Sequence, residues 1–350
     1  MRSDDPKPGR RARRGLPRAL GMLGAFFLLA LAGTLALPRP GLHAEAHARG
    51  AAEGAVTVRA GTRYPAGPVR RFLLGPGYRR AWGTPVRVEV LDLESFAGGL
   101  EPVKRGGGRQ TRSLQLVGGD GRTYVFRSVD KDQATGLAPL WRATGGRLRQ
   151  DQVGALHPGA SLAAAGLAEA AGVLQAAPRL VVLPDAAALD SFRADFGGLL
   201  GTLEERPRGA GEGAPGFGGA LGVVDTEALD SALRAHPGDR VDTLAYLAAR
   251  LLDVYLGDWD RHEGQWRWAR MADGGGHRWA PIPRDRDYAF ADYRGPLAAL
   301  ARLADPKIVR FDDRYRDLEG LLVKARPLDR RLLCALPPPA WDSAAAAMRG

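Results

Sequence analysis

Apolar and polar residues alternate at 86–90, and Leu114-Gln115-Leu116-Val117 and Thr123-Tyr124-Val125-Phe126-Arg127 are short runs of strand-forming residues. Alternation with a period of two places one set of side chains on each face of a strand. Gly118-Gly119-Asp120-Gly121 separates the second and third of these runs and predicts a hairpin turn. Arg179 opens a stretch whose residues 180–184 are continuously apolar, and Leu199 to Leu203 form a mostly apolar stretch that stops at Glu204-Glu205-Arg206-Pro207. Both predict buried strands. Before both of them the Ala/Leu-rich segment 152–171, closed by Gly172, predicts a helix.

The pattern turns helical after the glycine-rich run 209–219. Residues 225–235 predict one helix. Asp239 is placed to cap the next, whose apolar positions Leu244, Leu247, Ala248, Leu251, Leu252 and Tyr255 follow a helical spacing ended by Gly257. Residues 265–271 alternate bulky and polar, 272–276 reads as a turn and 277–283 as the return strand, predicting a second hairpin. Residues 297–303, 318–324 and 328–336 are helical in pattern, and Cys334 reads as a core residue of the last. Residues 47–77 show no clear period and read as a linker, with the ordered fold starting near Tyr78.

Charge concentrates in the stretch 257–290, which holds five aspartates and four of the seven tryptophans. Asp258, Asp260 and His262 alternate, as do Asp285 and Asp287. A hairpin over 265–283 closes its open end, so Gln265 and Asp285 are expected to be neighbours. Carboxylate and amide oxygens meeting there suit a hard cation such as magnesium or manganese. Carboxylates gathered without such a cation repel, so Asp285→Asn is expected to stabilise the metal-free chain. Upstream, Gly106, Gly107 and Gly108 lie among Lys104, Arg105, Arg109 and Arg112. Three glycines let backbone N–H groups approach a phosphate.

Asp260-Arg261-His262-x-x-Gln265 followed by Ile282-Pro283-Arg284-Asp285-x-x-x-x-Phe290 resembles the catalytic and metal loops of the atypical kinase-like superfamily. That group includes phosphatidylinositol 4-kinases, HipA-like kinases and secretory-pathway casein kinases. More closely, G-D-W-D-R-H and P-I-P-R-D-R-D resemble a bacterial family of secreted or envelope proteins, over roughly residues 75–345. The resemblance implies an α+β, two-lobed protein-kinase-like fold with a small β-rich N-lobe and a mostly helical C-lobe. It divides the chain into a signal or anchor at 1–46, a linker at 47–77, an N-lobe at 78–207 and a C-lobe at 208–350.

By the same resemblance Asp260 orients or deprotonates an acceptor hydroxyl, and Arg261 and His262 pin its loop. Gln265 and Asp285 hold the metal, with Asp258 and Asp287 as auxiliaries. Arg127 stands where the family has a phosphate-binding lysine, and Lys131 four residues on is its substitute candidate. Asp151 and Glu169 are the candidates for an acidic partner to that cation, and the adenine of ATP or another nucleotide would dock near Glu204. The implied activity is metal-dependent phosphoryl transfer to an unknown protein, lipid or glycan acceptor. A kinase-like module that only binds an anionic envelope ligand stays open, as does a metal-dependent phosphohydrolase.

Composition changes this picture in two places. The formal net charge of +11 suggests nucleic acid, but residues 1–50 carry nine Arg/Lys against three Asp/Glu, leaving 41 against 36 elsewhere. No recognised nucleic-acid motif accompanies that small excess, so nucleic acid is not an expected partner, and a monomer is expected. Within residues 1–50, Arg10 to Arg18 flank the uncharged run 20–37, followed by small-residue cleavage sites such as Leu42-His43-Ala44. This pattern predicts export to the periplasm, envelope or exterior, by a cleaved signal or by an inner-membrane anchor through 20–37. Fractionation of a tagged chain is expected to place residues 60–350 outside the cytoplasm, soluble or anchored; recovery of the full-length chain in the cytosol would count against it.

Overall fold

The computed structural model describes residues 37–39, 48–106, 110–135, 137–138, 142, 145–211, 214–315 and 318–348. It is a mixed α/β structure with three sheets. The first pairs β1 (Ala55–Val58) with β2 (Val86–Glu89) antiparallel. β1 and the helix Pro68–Leu74 both fall inside the stretch expected to be a linker. The local sequence of β1 is too short to announce itself. Its partner strand and the burial of Val58 against the core supply what periodicity could not.

The second sheet contains β3 (Leu100–Arg105), β4 (Ser113–Gly118), β5 (Thr123–Ser128), β6 (Arg179–Val182) and β7 (Leu200–Glu205) in the order β3-β4-β5-β7-β6. All its neighbours are antiparallel. Alternation drives Leu114, Leu116, Tyr124 and Phe126 into one core with Tyr64, Trp82 and Phe196. The opposite phase leaves Arg127 of β5 and Glu204 of β7 only part-buried.

The third sheet contains β8 (Gly222–Val224), β9 (Arg240–Val241), β10 (Trp266–Asp273) and β11 (Gly276–Pro283) in the order β8-β10-β11-β9. The β10–β11 turn is tighter than expected, with Asp273 opposite Gly276 and only Gly274-Gly275 between them. Gly274 has φ 56°, which a side chain would resist. Trp266, Trp268 and Trp279 pack with Tyr246 and Leu252 of the helix Thr243–Tyr255. Ala269, Ala280 and Ile282 form a separate cluster with Leu174 and Phe217.

Three further expectations are corrected. The run 152–171 is a 3-10 turn at Gln152–Ala155 and a helix at Ala160–Ala170. Pro158 divides them, because it lacks an N–H and disfavours helical backbone before it. Ala160, Ala164 and Ala168 join the tryptophan cluster rather than the core of the five-stranded sheet. Asp242, not Asp239, caps the helix Thr243–Tyr255 by accepting from the Ala245 N–H. Arg240 and Val241, which read as a first helical turn, pair with β11 instead, and Asp239 accepts from the Trp279 indole at 3.0 Å. Cys334 is exposed, since the helix Arg326–Leu333 ends one residue earlier with Leu328 and Leu333 inward. Among the described residues no helix is long and apolar enough to cross a membrane, and residues 20–36 lie outside them.

Exposed Cys334 is expected to react with a thiol reagent in the native chain at close to the rate of the unfolded chain. Strong protection in a mass-resolved labelling time course would contradict its placement.

Candidate functional site

The site is built on the last turn of the helix Thr243–Tyr255. Asp253 is fully buried there. Gly257, at φ 67°, turns the chain so that the Asp258 N–H reaches the Asp253 carbonyl at 2.9 Å. The following loop is then tied back to the helix. Arg261, also fully buried, donates to Asp253 at 3.0 Å and to Asp258 at 2.8 Å, and reaches the Arg284 carbonyl beyond β11. Arg250 donates to Asp253 at 2.8 Å and to Asp329 at 2.9 Å. Arg286 brings a nitrogen 3.3 Å from Asp253, yet none of its guanidinium nitrogens has a hydrogen-bond partner among the described residues.

Three arginines thus face Asp253, Asp258 and Asp329, and the cluster balances. Burial would raise the Asp253 carboxyl, but Arg261, Arg286 and Arg250 hold it below the usual range. Asp258 has only Arg261 close at hand, and burial pushes it up to about 6, with Asp253 adding to the rise.

Above this base the hairpin brings its open ends together. The Arg284 N–H donates to the Gln265 carbonyl at 2.9 Å, and the Gln265 amide donates to Asp285 at 3.4 Å. Asp285 is held at φ 61°, a left-handed conformation that costs energy in a non-glycine residue and is common where a site imposes it. Arg127 reaches down from β5 to Asp285 at 3.0 Å and lies 3.8 Å from Glu204. Lys131 pairs with Asp287, and Lys324 pairs with Asp260.

Every carboxylate of the predicted site therefore has a cation beside it. That overturns the expectation that Asp285→Asn would stabilise the metal-free chain, because the substitution removes an ion-pair partner rather than a repelling charge. Burial would raise Asp285, but Arg127, Lys131 and Arg284 hold it low. Asp287 moves the other way: burial raises it, Lys131 opposes, and Asp285 adds to the rise. Water still reaches about a third of both side chains, 35% for Asp285 and 33% for Asp287. Burial also raises Glu204. Arg284 falls to about 10, through burial and then the repulsion of Arg127 and Arg267.

Arg127, Lys131, Glu204, Asp285 and Asp287 line one cleft together with Ser161. A second, smaller cleft shares Ser161, Glu204 and Asp285 and adds Gln175, Pro207 and Ile282. His262 points away: it is exposed, and its Nδ1 accepts from the Gly264 N–H at 3.1 Å, holding the turn of the loop. Gly106 donates its N–H to the Ser113 carbonyl at 2.7 Å, while Gly107, Gly108 and Arg109 lie outside the described residues. Arg105 pairs with the Asp195 carboxylate and Arg112 donates to the Asp195 carbonyl at 2.6 Å, so two of the loop's cations are engaged away from the cleft. Neither acidic candidate meets Arg127. Asp151 is buried against Arg70 and Arg79, and Glu169 is exposed.

Sequence reasoning missed Asp253, Arg286 and Lys324. Asp253 and Arg250 interrupt an otherwise apolar stripe, which was a usable signal. Lys324 lies in the turn between the helices Glu319–Leu322 and Arg326–Leu333, within the stretch 318–324 expected to be one helix, and nothing in its neighbourhood in the sequence points to Asp260.

Among the described residues no three His, Cys, Asp or Glu side chains form a metal-holding group. A magnesium ion is commonly held by one or two carboxylates with the rest of its shell from water and phosphate oxygens. Asp285 is the carboxylate for that sparse kind of site, but Gln265 turns its amide nitrogen toward it, so the amide would have to turn over for both oxygens to face one ion.

No family model matches the chain, and no curated protein matches it. Among solved structures the chain is similar to a proinflammatory kinase of Helicobacter pylori, CtkA, at 10% identity and a TM-score of 0.31, over 71% of this chain and 90% of that one. So slight a likeness carries no argument, and the site's own geometry must carry the reading.

Two outcomes follow from the buried cluster. Asp253→Ala strands Arg286 without its counter-charge, leaves Arg261 with Asp258 alone, and is expected to cost about 3–5 kcal/mol of stability by urea unfolding. A loss of about 0–1 kcal/mol, as for a surface pair, would show the cluster to be unimportant. Asp258 binds its proton up to about pH 6 in the folded chain, against 3.8 as the ordinary value. As pH falls through 6, the folded chain takes up a proton before the unfolded chain does, so this group favours folding increasingly down to the ordinary value. Asp258→Asn should abolish that component of the change in stability between about pH 7 and 5.

Proposed function

We propose that the chain is a two-lobed, kinase-like phosphotransferase of the cell envelope, with the lobes at 78–207 and 208–350. The observation that carries this reading is the reach of Arg127, on the five-stranded sheet, to Asp285, at the open end of the β10–β11 hairpin. A sheet cation and a hairpin carboxylate share one cleft, and the aspartate loop 258–260 begins directly after a helix. Phosphoryl transfer requires chiefly positioning and charge neutralisation, and these are the groups for it.

In this reading the nucleotide phosphates lie in the cleft between Arg127 and Lys131, and the base lies in the neighbouring cleft beside Glu204 and Pro207. Asp285 and Gln265 would hold magnesium or manganese, with Asp287 beside them. Such an ion neutralises phosphate charge when bound. Asp260 takes the proton of the acceptor hydroxyl, and Lys324 keeps that carboxylate oriented. Arg261 fixes the loop through Asp253 and Asp258 and touches no reactant.

The second reading, a module that binds an anion without turnover, draws on the cations. Arg127, Lys131, Arg284 and Lys324 surround the carboxylates closely, and a bound phosphate could bridge several of them.

Calorimetric titration of manganese, with and without ATP, separates the readings. Asp285→Asn is expected to weaken metal binding by about tenfold or more while staying folded. Asp260→Asn is expected to keep metal and nucleotide affinity but to lose about 10²–10⁴-fold in transfer, the usual worth of a general base. Equal metal affinity in the wild type and both variants would remove the metal site. Binding of ATP without metal, unaffected by Asp285→Asn, would favour the anion-binding module.

A further inference from the structure

The helices Pro68–Leu74 and Pro296–Ala304 turn apolar side chains outward. Val69, Phe72 and Leu73 follow an i, i+3, i+4 spacing, and Leu297, Leu300 and Leu303 recur at every third residue, so each set forms a stripe along its helix. A stripe of this kind ordinarily faces a core. Here Leu74 and Ala298 are the buried residues of the two helices, and both stripes face solvent, with Phe72 70% and Leu303 85% exposed.

The two stripes meet. The end of the first helix packs on the start of the second. A side chain at Gly75 would strike the Arg294 carbonyl oxygen at 2.4 Å, and one at Gly295 the Leu73 carbonyl oxygen at 2.8 Å. Two distant parts of the chain thus build one exposed apolar surface. Such a surface marks a place where something else binds.

Two observations indicate what covers it. The first is where the N-terminal segment enters the fold. The Leu37 carbonyl accepts from Arg147 at 3.2 Å, and Arg147 lies on the helix Gly145–Asp151. Asp151, at the end of that helix, accepts at 2.6 Å from Arg70 of the first apolar helix. Leu148 of the same helix lines a cavity with Leu74 and Leu297, one from each apolar helix. The apolar run 20–37 therefore ends beside the exposed surface. A membrane anchor that ends there brings this surface to the bilayer and raises its local concentration near lipid.

The second observation is charge. Arg71 and Arg302 stand next to Phe72 and Leu303, and neither has a carboxylate partner among the described residues. Arg294 and Lys307, by contrast, pair with Asp292 and Asp305. Apolar side chains with unpaired arginines beside them match the apolar interior and the anionic headgroups of one bilayer leaflet.

We propose that this face of the folded chain lies on an anionic lipid bilayer, with both apolar stripes below the headgroups and Arg71 and Arg302 at headgroup level. The proposal is independent of the phosphotransfer reading.

The test uses the full chain with Cys334→Ser, which removes its only cysteine. Phe72→Cys, Leu303→Cys and, as a reference, Val103→Cys on the exposed side of β3 each carry an environment-sensitive fluorophore. On vesicles of phosphatidylethanolamine and phosphatidylglycerol, the labels at 72 and 303 are expected to shift to the blue and to be quenched by spin-labelled acyl chains. The label at 103 is expected to keep its emission in water. Arg71→Glu with Arg302→Glu should reduce the shifts at 72 and 303 on these vesicles and leave them unchanged on phosphatidylcholine. Labels at 72 and 303 that stay water-like, or a label at 103 that shifts as much, would overturn the proposal. So would a blue shift without vesicles: one that grows with protein concentration would place a second copy on the surface, and one independent of concentration would place the segment 20–36 there. An unchanged shift in the charge-reversed chain on the anionic vesicles would overturn the choice of anionic lipid.

Discussion

The candidate site depends on one buried carboxylate. Asp253 has no contact with solvent and gathers Arg250, Arg261 and Arg286 around it. Each arginine belongs to a different part of the chain: the helix itself, the aspartate loop and the segment after β11. A charge buried without counter-charges would be untenable, and so would Arg286 without the aspartate, whereas Arg250 keeps Asp329 and Arg261 keeps Asp258. Asp253 is therefore the group that ties the three arginines into one cluster. Its formation fixes the mutual position of Asp260 and Asp285, although neither belongs to it.

Over this rigid base the working groups are arranged differently. Asp260, Asp285 and Asp287 each pair with one cation and retain some exposure to water. Pairs that are partly solvated can be exchanged for a ligand at modest cost, whereas the pairs beneath them cannot. The contrast also appears in the carboxyl groups themselves. Asp285, close to three cations, keeps its charge readily, while Asp287 two residues on is pushed toward the neutral form. Two adjacent carboxylates with opposed tendencies are a common mark of a working site.

Much of this was visible in the sequence, and what was not has physical reasons. β4, β5 and the β10–β11 hairpin followed from local pattern and turn signals, and β6 and β7 from apolar runs, whereas β3 was not visible because it ends in Lys104 and Arg105, which read as part of a basic glycine-rich loop. The meeting of Gln265 with Asp285 followed from hairpin geometry alone. The strand β1 was not visible, because four residues inside a proline- and glycine-rich stretch gain their structure only from a partner some thirty positions away. The break at Pro158 was written in the chain but was outweighed by the alanines around it. The Lys324–Asp260 pair joins residues that no local pattern connects. Contacts of that kind depend on how helices dock, and a sequence pattern describes only which face is apolar. The glycine triplet stayed untested, since two of its three members lie outside the described residues.

The β10–β11 hairpin also sets a rule for how this chain can vary. Its sheet buries tryptophans in one cluster and small apolar residues in another, so neither phase of β10 or β11 can be surrendered. Adding or removing a single residue within either strand would turn indole side chains toward a cluster built around alanines, and alanines toward one built around indoles. The same slip would carry Asp285 out of register with Gln265 across the open end. The spacing between the amide and the carboxylate is therefore locked by packing rather than by the chemistry it serves. Within the hairpin, changes in length can be absorbed only at the exposed Gly274-Gly275 turn, far from the site.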